Sequence, residues 1–138
     1  MKILIVDSEP TTRAYLEDFL RYFGCEVERN GTLKMAIKRL QKERYDGMVV
    51  DLYVDDGCTV RLLEWLKEEA RDEPVVMMSE EADYSLLTQL VRAGAADLVS
   101  KMFQPMSLQR VMRLAFVDRA TSETNRRSAT RSATPNAT

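Results

Sequence analysis

The sequence predicts a three-layer α/β domain, in which a five-stranded parallel sheet lies between helices. Three apolar runs of strand length, at residues 2–6, 48–50 and 75–78, are continuous, as expected of strands that are buried on both faces. Between these runs, apolar residues recur at helical spacing. Strands that alternate with helices along the chain are typical of parallel α/β domains, so both patterns favour the same fold class.

Five strands are predicted along the chain. The first covers residues 2–6. The second, residues 25–29, alternates polar and apolar side chains, which predicts a strand at an edge of the sheet. Residues 48–50 and 75–78 form the third and fourth strands, and a fifth covers about residues 96–100.

Five amphipathic helices are predicted to follow these strands. Pro10 near the start of the first helix, and Gly24 and Gly94 after helix ends, agree with the usual punctuation of helices. Three stripes have the full spacing i, i+3, i+4, i+7: Leu16, Phe19, Leu20 and Phe23; Leu33, Ala36, Ile37 and Leu40; Leu108, Val111, Met112 and Ala115. Two stripes are shorter: Leu62, Trp65 and Leu66; Leu87, Leu90 and Val91.

Residues 1–118 are predicted to form one folded domain, and residues 119–138 a disordered tail. The tail is rich in Ser, Thr, Ala and Arg and contains no Val, Leu, Ile, Met or aromatic residue. It therefore cannot bury enough apolar surface to offset the entropy that ordering would cost. Because nothing after residue 118 has a pattern that could fold, the domain is expected to stand alone.

Composition excludes several functional classes. Acidic side chains outnumber basic ones in residues 1–118, which gives no support for nucleic-acid binding. No run approaches the roughly 18 apolar residues that a membrane span needs, and the start of the chain has no signal-peptide pattern, so a cytoplasmic location is expected. Cys25 and Cys58 are predicted to lie too far apart to form a disulfide.

Polar side chains follow four of the predicted strands. Asp7, Asp51 and Ser79 end the first, third and fourth apolar runs, and Lys101 lies just past the fifth strand. Because the carboxyl ends of parallel strands meet at one edge of a sheet, these side chains are expected to converge at a crevice. Two carboxylates at one edge repel each other unless they share a cation, which favours a site over two separate helix caps. Considered alone, Ser79 is better explained as a helix-capping serine.

These residues resemble the receiver domain of bacterial two-component response regulators. The resemblance spans residues 2 to about 118 and rests on four segments in order: Ile-Val-Asp7-Ser-Glu-Pro, Val-Val-Asp51-Leu, Met-Met-Ser79 and Ala-Asp97-Leu-Val-Ser-Lys101. It implies a flavodoxin-like sandwich with strand order 2-1-3-4-5 and a crevice between the first and third strands.

The resemblance also implies roles for individual residues. Asp51 would accept a phosphoryl group from a histidine kinase or phosphotransfer protein, and Lys101 and the Ser79 hydroxyl would contact the phosphoryl oxygens. Mg²⁺ would be held by Asp7, Asp51 and the backbone carbonyl of Tyr53, and oxygen ligands are what this ion prefers. Such a domain is a signalling receiver rather than an enzyme, and it would meet its target across the fourth helix, fifth strand and fifth helix.

Several residues depart from the family pattern. Ser8 stands where a second acid usually contacts the metal, so Mg²⁺ binding is expected to be weak; Ser8 could instead cap the first helix. Glu80 replaces a small residue, and its carboxylate would either repel an incoming phosphoryl group or reach Lys101. Met102 replaces a proline, Leu98 replaces an aromatic residue, and Asp55 stands where the loop after Asp51 usually has a proline.

Three alternative functions remain open. A pseudo-receiver would have the same fold and bind partners without phosphorylation. A flavodoxin-like cofactor binder would place a phosphate against Ser8, Thr11 and Thr12, but nearby acidic residues would repel it. An aspartyl-nucleophile phosphatase would need a second acid two residues after Asp51, where the chain has Tyr53.

Overall fold

A computed structural model describes residues 1–101 of the 138-residue chain, together with Gln109, Arg113 and Phe116. The elements follow in the order β1 (Lys2–Val6), α1 (Pro10–Tyr22), β2 (Glu26–Asn30), α2 (Leu33–Leu40), β3 (Gly47–Asp51), β4 (Tyr53–Val54), β5 (Gly57–Cys58), α3 (Val60–Glu68), β6 (Val75–Ser79), α4 (Tyr84–Ala93) and β7 (Asp97–Ser100). The five predicted strands are confirmed, each bound lying within one residue of its prediction, and so are the first four helices.

The central sheet is parallel and has the order β2-β1-β3-β6-β7. Numbered among themselves along the chain, these five strands have the order 2-1-3-4-5, which confirms the order that the resemblance implied. β2 lies at one edge, as its alternating sequence predicted. The direction of winding changes between β1 and β3, and open α/β folds usually bind ligands at the carboxyl edge of the sheet near such a point.

Helices pack on both faces of the sheet because its central strands are apolar on both faces. On one face, side chains such as Leu4, Met48 and Met77 pack with α2, α3 and α4. On the other face, Ile5 and its neighbours pack with α1 and with Phe116. The ring of Phe116 lies against Gly47, where an added Cβ would come within 2.5 Å of it. A larger residue at the start of β3 would therefore displace this ring.

Burial confirms most of the predicted helix stripes and corrects the C-terminal ends of two of them. Leu16 and Leu20 are buried in α1, but Phe23 is 47% exposed because it lies beyond the last helical residue. In α4 only Leu90 is buried, and Val91 is 48% exposed. Leu63, which was not in the predicted stripe of α3, is buried.

A small hairpin follows Asp51 where the sequence predicts only a polar loop. β4 and β5 pair antiparallel, with Tyr53 opposite Cys58 and Val54 opposite Gly57. Gly57 has φ +136°, which a residue with a Cβ rarely adopts. The buried Thr59 hydroxyl closes the hairpin by donating to the carbonyls of Asp51 and Leu52, at 2.7 and 3.1 Å.

Three predictions fall outside the described residues. These are the fifth helix, the disordered tail and the effect of Met102. Among the residues that the structure does describe, no helix has both the length and the apolar character needed to cross a bilayer. Cys25 and Cys58 are both free thiols, as predicted.

Candidate functional site

The four predicted side chains converge at the carboxyl edge of the sheet. Asp51 and Ser79 are the last residues of β3 and β6, while Asp7 and Lys101 directly follow β1 and β7. The backbone N–H of Lys101 donates to the carbonyl of Ser79 at 2.9 Å, which extends the pairing of β6 and β7 to the site. Parallel pairing of strands distant in sequence thus assembles the site.

Lys101 forms the centre of the charge arrangement. Its ammonium donates to Asp51 Oδ2 at 2.8 Å and lies 3.5 Å from Asp7 Oδ2. Only 12% of the lysine side chain is exposed, which is unusual for a lysine because most lysines are solvated at the surface. Burial by itself lowers the pKa of Lys101, but the hydrogen bond to Asp51 and the charge of Asp7 outweigh burial and raise it. The lysine therefore remains a cation beside the two aspartates.

Asp7 is fully buried, and its two oxygens have different surroundings. Oδ1 accepts the backbone N–H of Glu9 at 2.8 Å, whereas Oδ2 has no hydrogen-bond partner. Burial is the main reason why the pKa of Asp7 is raised, and the charge of Asp51 adds to it. A buried carboxylate oxygen without a hydrogen bond is costly unless a cation lies close to it.

This donor set fits a small divalent cation that prefers oxygen ligands. Asp7 supplies a buried oxygen without a hydrogen bond, and Asp51 supplies a second carboxylate at the same edge. Across the described residues, no group of three or more His, Cys, Asp or Glu side chains is arranged to hold a metal ion. The remaining ligands would be water or backbone oxygens, such as the Tyr53 carbonyl that the resemblance implied.

A cleft of about 370 Å³ opens next to Asp51. Its walls are formed by Asp51, Tyr53, Ser79, Glu80, Glu81 and Lys101. The Ser79 hydroxyl accepts the backbone N–H of Glu81 at 3.3 Å, while Asp83 caps α4. Ser79 is thus a residue of the cleft wall, and the helix-cap alternative for it is wrong.

Ser8 has a role that sequence reasoning missed. Its hydroxyl donates to the Gly31 carbonyl and accepts the Asp55 N–H, both at 2.8 Å. The residue at the N-cap of α1 is Glu9, so the prediction that Ser8 caps this helix is wrong. The hydroxyl joins loops that are 23 and 47 residues away in sequence, and no local pattern could have indicated these partners.

Asp56 strengthens the same connection between loops. Its carboxylate accepts the N–H groups of Leu33 and Lys34, at 2.8 and 2.9 Å, at the start of α2. These backbone hydrogen bonds lower the pKa of Asp56. The hairpin after Asp51 is therefore attached to the first turn of α2.

Glu9 lies near the Lys101 ammonium, where the sequence suggested Glu80. Glu80 is exposed on the wall of the cleft. Within the described residues, the carboxylates paired with the Lys101 ammonium are those of Asp51, Asp7 and Glu9, the last at 3.8 Å. The alternative in which Glu80 pairs with Lys101 is wrong for this structure.

Comparison with known proteins agrees with this geometry. A family model described as response regulator receiver domain matches residues 3–113. The two-component response regulator ORR26 of Oryza sativa subsp. japonica is 32% identical over 113 residues, which cover 80% of this chain and 19% of the rice protein. The response regulator protein PilR of Pseudomonas aeruginosa is 29% identical, over 82% of this chain and 25% of PilR. The chain thus spans about a fifth to a quarter of the length of these relatives.

Solved structures show the same fold. The signal receiver domain of a signal transduction histidine kinase from Syntrophus aciditrophicus is 26% identical, with a TM-score of 0.72 over 83% of this chain and 89% of that chain. The receiver domain of a sensor histidine kinase from Pseudomonas aeruginosa has 22% identity and a TM-score of 0.74, over 83% and 96%. In that structure a magnesium ion is coordinated in the active-site cleft.

The strand order, the polar residues at the strand ends and the family match over most of the chain lead to one assignment. The chain belongs to the response regulator receiver domain family, the phosphoryl-accepting signalling modules of two-component systems.

Proposed function

We propose that this receiver accepts a phosphoryl group on Asp51 from a histidine kinase or a phosphotransfer protein. The observation that carries the proposal is the contact between Asp51 Oδ2 and the Lys101 ammonium, 2.8 Å long, at the wall of an open cleft. A carboxylate nucleophile needs a fixed positive charge beside it, because charge develops on the phosphoryl oxygens during transfer. Asp7 has the ammonium nearby but is fully buried, whereas Asp51 borders the cleft.

In the proposed transfer, an oxygen of Asp51 forms the new P–O bond while the P–N bond to the donor histidine breaks. The imidazole keeps the electron pair of the broken bond, and the product on this chain is an acyl phosphate. Lys101 would turn from the Asp51 carboxylate to a phosphoryl oxygen, which requires that it stay protonated, in agreement with its raised pKa. The Ser79 hydroxyl, which lines the same cleft, would donate to a second phosphoryl oxygen.

We propose that Asp7, Asp51 and the backbone carbonyl of Tyr53 hold Mg²⁺ during this reaction. The unbonded oxygen of Asp7 supports this assignment. When bound, the ion would supply positive charge to the phosphoryl oxygens. Ser8 cannot provide the second acid, and its hydroxyl is already engaged with Gly31 and Asp55, which supports weak binding.

Phosphorylation would change the contacts that this chain makes with other proteins at α4, β7 and the predicted fifth helix. These elements belong to a proposed domain of residues 1–118. The exposed side chains on α4 support this surface, since Tyr84 is 83% exposed. A receiver signals when a local charge change shifts an element with two available positions.

The test uses a small acyl-phosphate donor with Mg²⁺ and intact-mass spectrometry of the full chain. The wild type should gain one phosphoryl group, and Asp51→Asn should gain none. Asp55→Asn, which changes an exposed acid of the same loop, is the matched control and should be labelled like the wild type. A phosphoryl adduct that persists in Asp51→Asn would overturn the assignment of the acceptor.

A pseudo-receiver is the second candidate, favoured by Glu80 on the wall of the cleft and by the engaged hydroxyl of Ser8. If the carboxylate of Glu80 repels the donor, Glu80→Ala should accelerate labelling of Asp51. A chain that remains unlabelled both as wild type and as Glu80→Ala, yet still binds its partner, would be a pseudo-receiver.

A further inference from the structure

Lys101 is paired with a third carboxylate that the sequence did not identify. Glu9 Oε2 lies 3.8 Å from the ammonium, against 2.8 Å for Asp51 and 3.5 Å for Asp7. Glu9 directly follows Ser8, the position at which the expected second acid is missing. One positive charge therefore faces three carboxylates, and the local balance remains negative.

The backbone of Glu9 is anchored on both sides of its Cα. Its N–H donates to Asp7 Oδ1, and its carbonyl accepts the N–H of Arg13 in the first turn of α1. The side chain is 57% exposed, so it can change rotamer at low cost. The backbone of Glu9 is thus fixed beside Asp7, while its carboxylate can change position.

Capping of α1 does not account for this carboxylate. Glu9 occupies the N-cap position, but its side chain makes no capping hydrogen bond. Its carboxylate is instead directed to Lys101. The buried oxygen of Asp7 is an independent sign that the site needs more positive charge, because this oxygen has no hydrogen bond.

We propose that Glu9 supplies the acidic charge that is missing at position 8, and so strengthens the binding of a divalent cation at Asp7 and Asp51. Within the described residues, no three acidic side chains are arranged as direct ligands. In this proposal Glu9 therefore does not contact the ion and acts on it only through its charge. This inference rests on the metal site of the proposed function. Outer groups of this kind change metal affinity by about 10- to 100-fold, and an exposed one belongs at the lower end.

The test measures metal binding directly, with Mn²⁺ as the probe. The electron paramagnetic resonance signal of free Mn²⁺ is followed during titration of the full chain, and Mg²⁺ is added as a competitor. Glu9→Gln should weaken binding by about tenfold. Glu26→Gln is the matched control, because Glu26 is an exposed acid at the opposite end of β2 from the site, and it should bind as the wild type does.

A second comparison tests whether Glu9 compensates for Ser8. In a Ser8→Asp background the second acid is restored, so Glu9→Gln should reduce affinity by a smaller factor than it does in the wild type. Equal factors in both backgrounds would show that Glu9 does not compensate for Ser8. Equal affinities of the wild type and Glu9→Gln would overturn the inference.

Two further outcomes distinguish a failure of the proposed metal site from a failure of the role proposed for Glu9. If Asp7→Asn and Asp51→Asn bind Mn²⁺ like the wild type, or if the wild type binds none, the proposed metal site fails and the role of Glu9 fails with it. If Glu9→Gln lowers the thermal midpoint of the metal-free chain and leaves Mn²⁺ affinity unchanged, Glu9 stabilises α1 and has no role in metal binding. Loss of affinity in Glu9→Gln with an unchanged midpoint supports the inference.

Discussion

At the scale of residues, Lys101 places one positive charge beside two aspartates at one edge of the sheet. Its ammonium contacts Asp51 and lies close to the buried Asp7. Each aspartate alone would be costly to bury as an anion, and together they repel each other. Loss of the lysine would therefore affect stability as well as the proposed phosphotransfer.

Lys101→Met removes the charge and keeps most of the side-chain volume. We expect the free energy of unfolding at neutral pH to fall by about 3 kcal/mol, because the loss of one partner leaves buried charge unopposed. Urea denaturation without divalent ions measures this change. Lys38→Met, on the exposed side of α2, is the matched control and should change stability by less than about 0.5 kcal/mol. An unchanged stability in Lys101→Met would contradict this expectation.

Asp7 should impose a pH dependence on stability. Burial raises its pKa, so the folded chain binds a proton more readily than the unfolded chain does. Stability should therefore fall as pH rises from about 4, the ordinary aspartate pKa, to the raised pKa of the folded chain.

Asp7→Asn should remove this dependence. Without divalent ions, the variant should unfold at a higher urea concentration than the wild type at neutral pH, and the difference should shrink towards pH values of about 4. Urea midpoints across this pH range measure the effect, and Asp18→Asn, an exposed acid on α1, is the control. A wild type more stable than Asp7→Asn at neutral pH would contradict the expectation.

At the scale of elements, side chains join three loops at the carboxyl edge of the sheet. Ser8 connects the loop after β1 with Gly31 and Asp55, and Asp56 accepts two N–H groups at the start of α2. The loop that follows the proposed acceptor is thus held by its neighbours. This connection accounts for a serine at a position where the family usually has an acid.

Substitutions of Ser8 should change the stability of the chain and its Mg²⁺ affinity in opposite directions when the new residue is acidic. Ser8→Ala loses two hydrogen bonds and should be less stable by about 1–3 kcal/mol. Ser8→Asp can still accept the Asp55 N–H but cannot donate to Gly31, so it should also lose stability without metal while its Mg²⁺ affinity rises by about 10- to 100-fold. Urea denaturation and Mg²⁺ titration measure both effects, with Ser85→Ala as the control. Equal Mg²⁺ affinities in Ser8→Asp and the wild type would contradict this role of position 8.

At the scale of the whole molecule, burial is uneven across the sheet. Every residue of β3 and β6 is buried, whereas β7 has only Val99 buried and α4 only Leu90. Elements with few buried apolar contacts move at lower cost than the centre of a sheet. The α4 and β7 side of the molecule is therefore where we expect a change at Asp51 to alter the surface.

Hydrogen exchange followed by mass spectrometry tests this expectation. Addition of an acyl-phosphate donor and Mg²⁺ should change the exchange of amides in α4 and β7, and leave that of β1 and β3 nearly constant. Asp51→Asn under the same conditions controls for effects of the donor and the ion. A chain that gains the phosphoryl group without any change in α4 or β7 would place its signalling surface elsewhere.

The sequence by itself determined the five strands of the sheet, the first four helices, their layers and the edge at which the site lies. Apolar runs and helical stripes are local patterns, and Asp7, Asp51, Ser79 and Lys101 follow strands whose carboxyl ends must meet in a parallel sheet. These inferences succeeded because they need only the spacing of residues along the chain. The resemblance to receivers supplied the strand order, which local patterns alone do not specify.

Only the tertiary structure decided which side chains meet in the loops. Ser8 contacts Gly31 and Asp55, and Glu9 rather than Glu80 approaches Lys101. These contacts depend on how the hairpin after Asp51 and the start of α1 are held by packing of elements far apart in sequence. A hydrogen bond or ion pair is formed only within a few ångströms, and such distances between loops leave no periodic pattern in the chain.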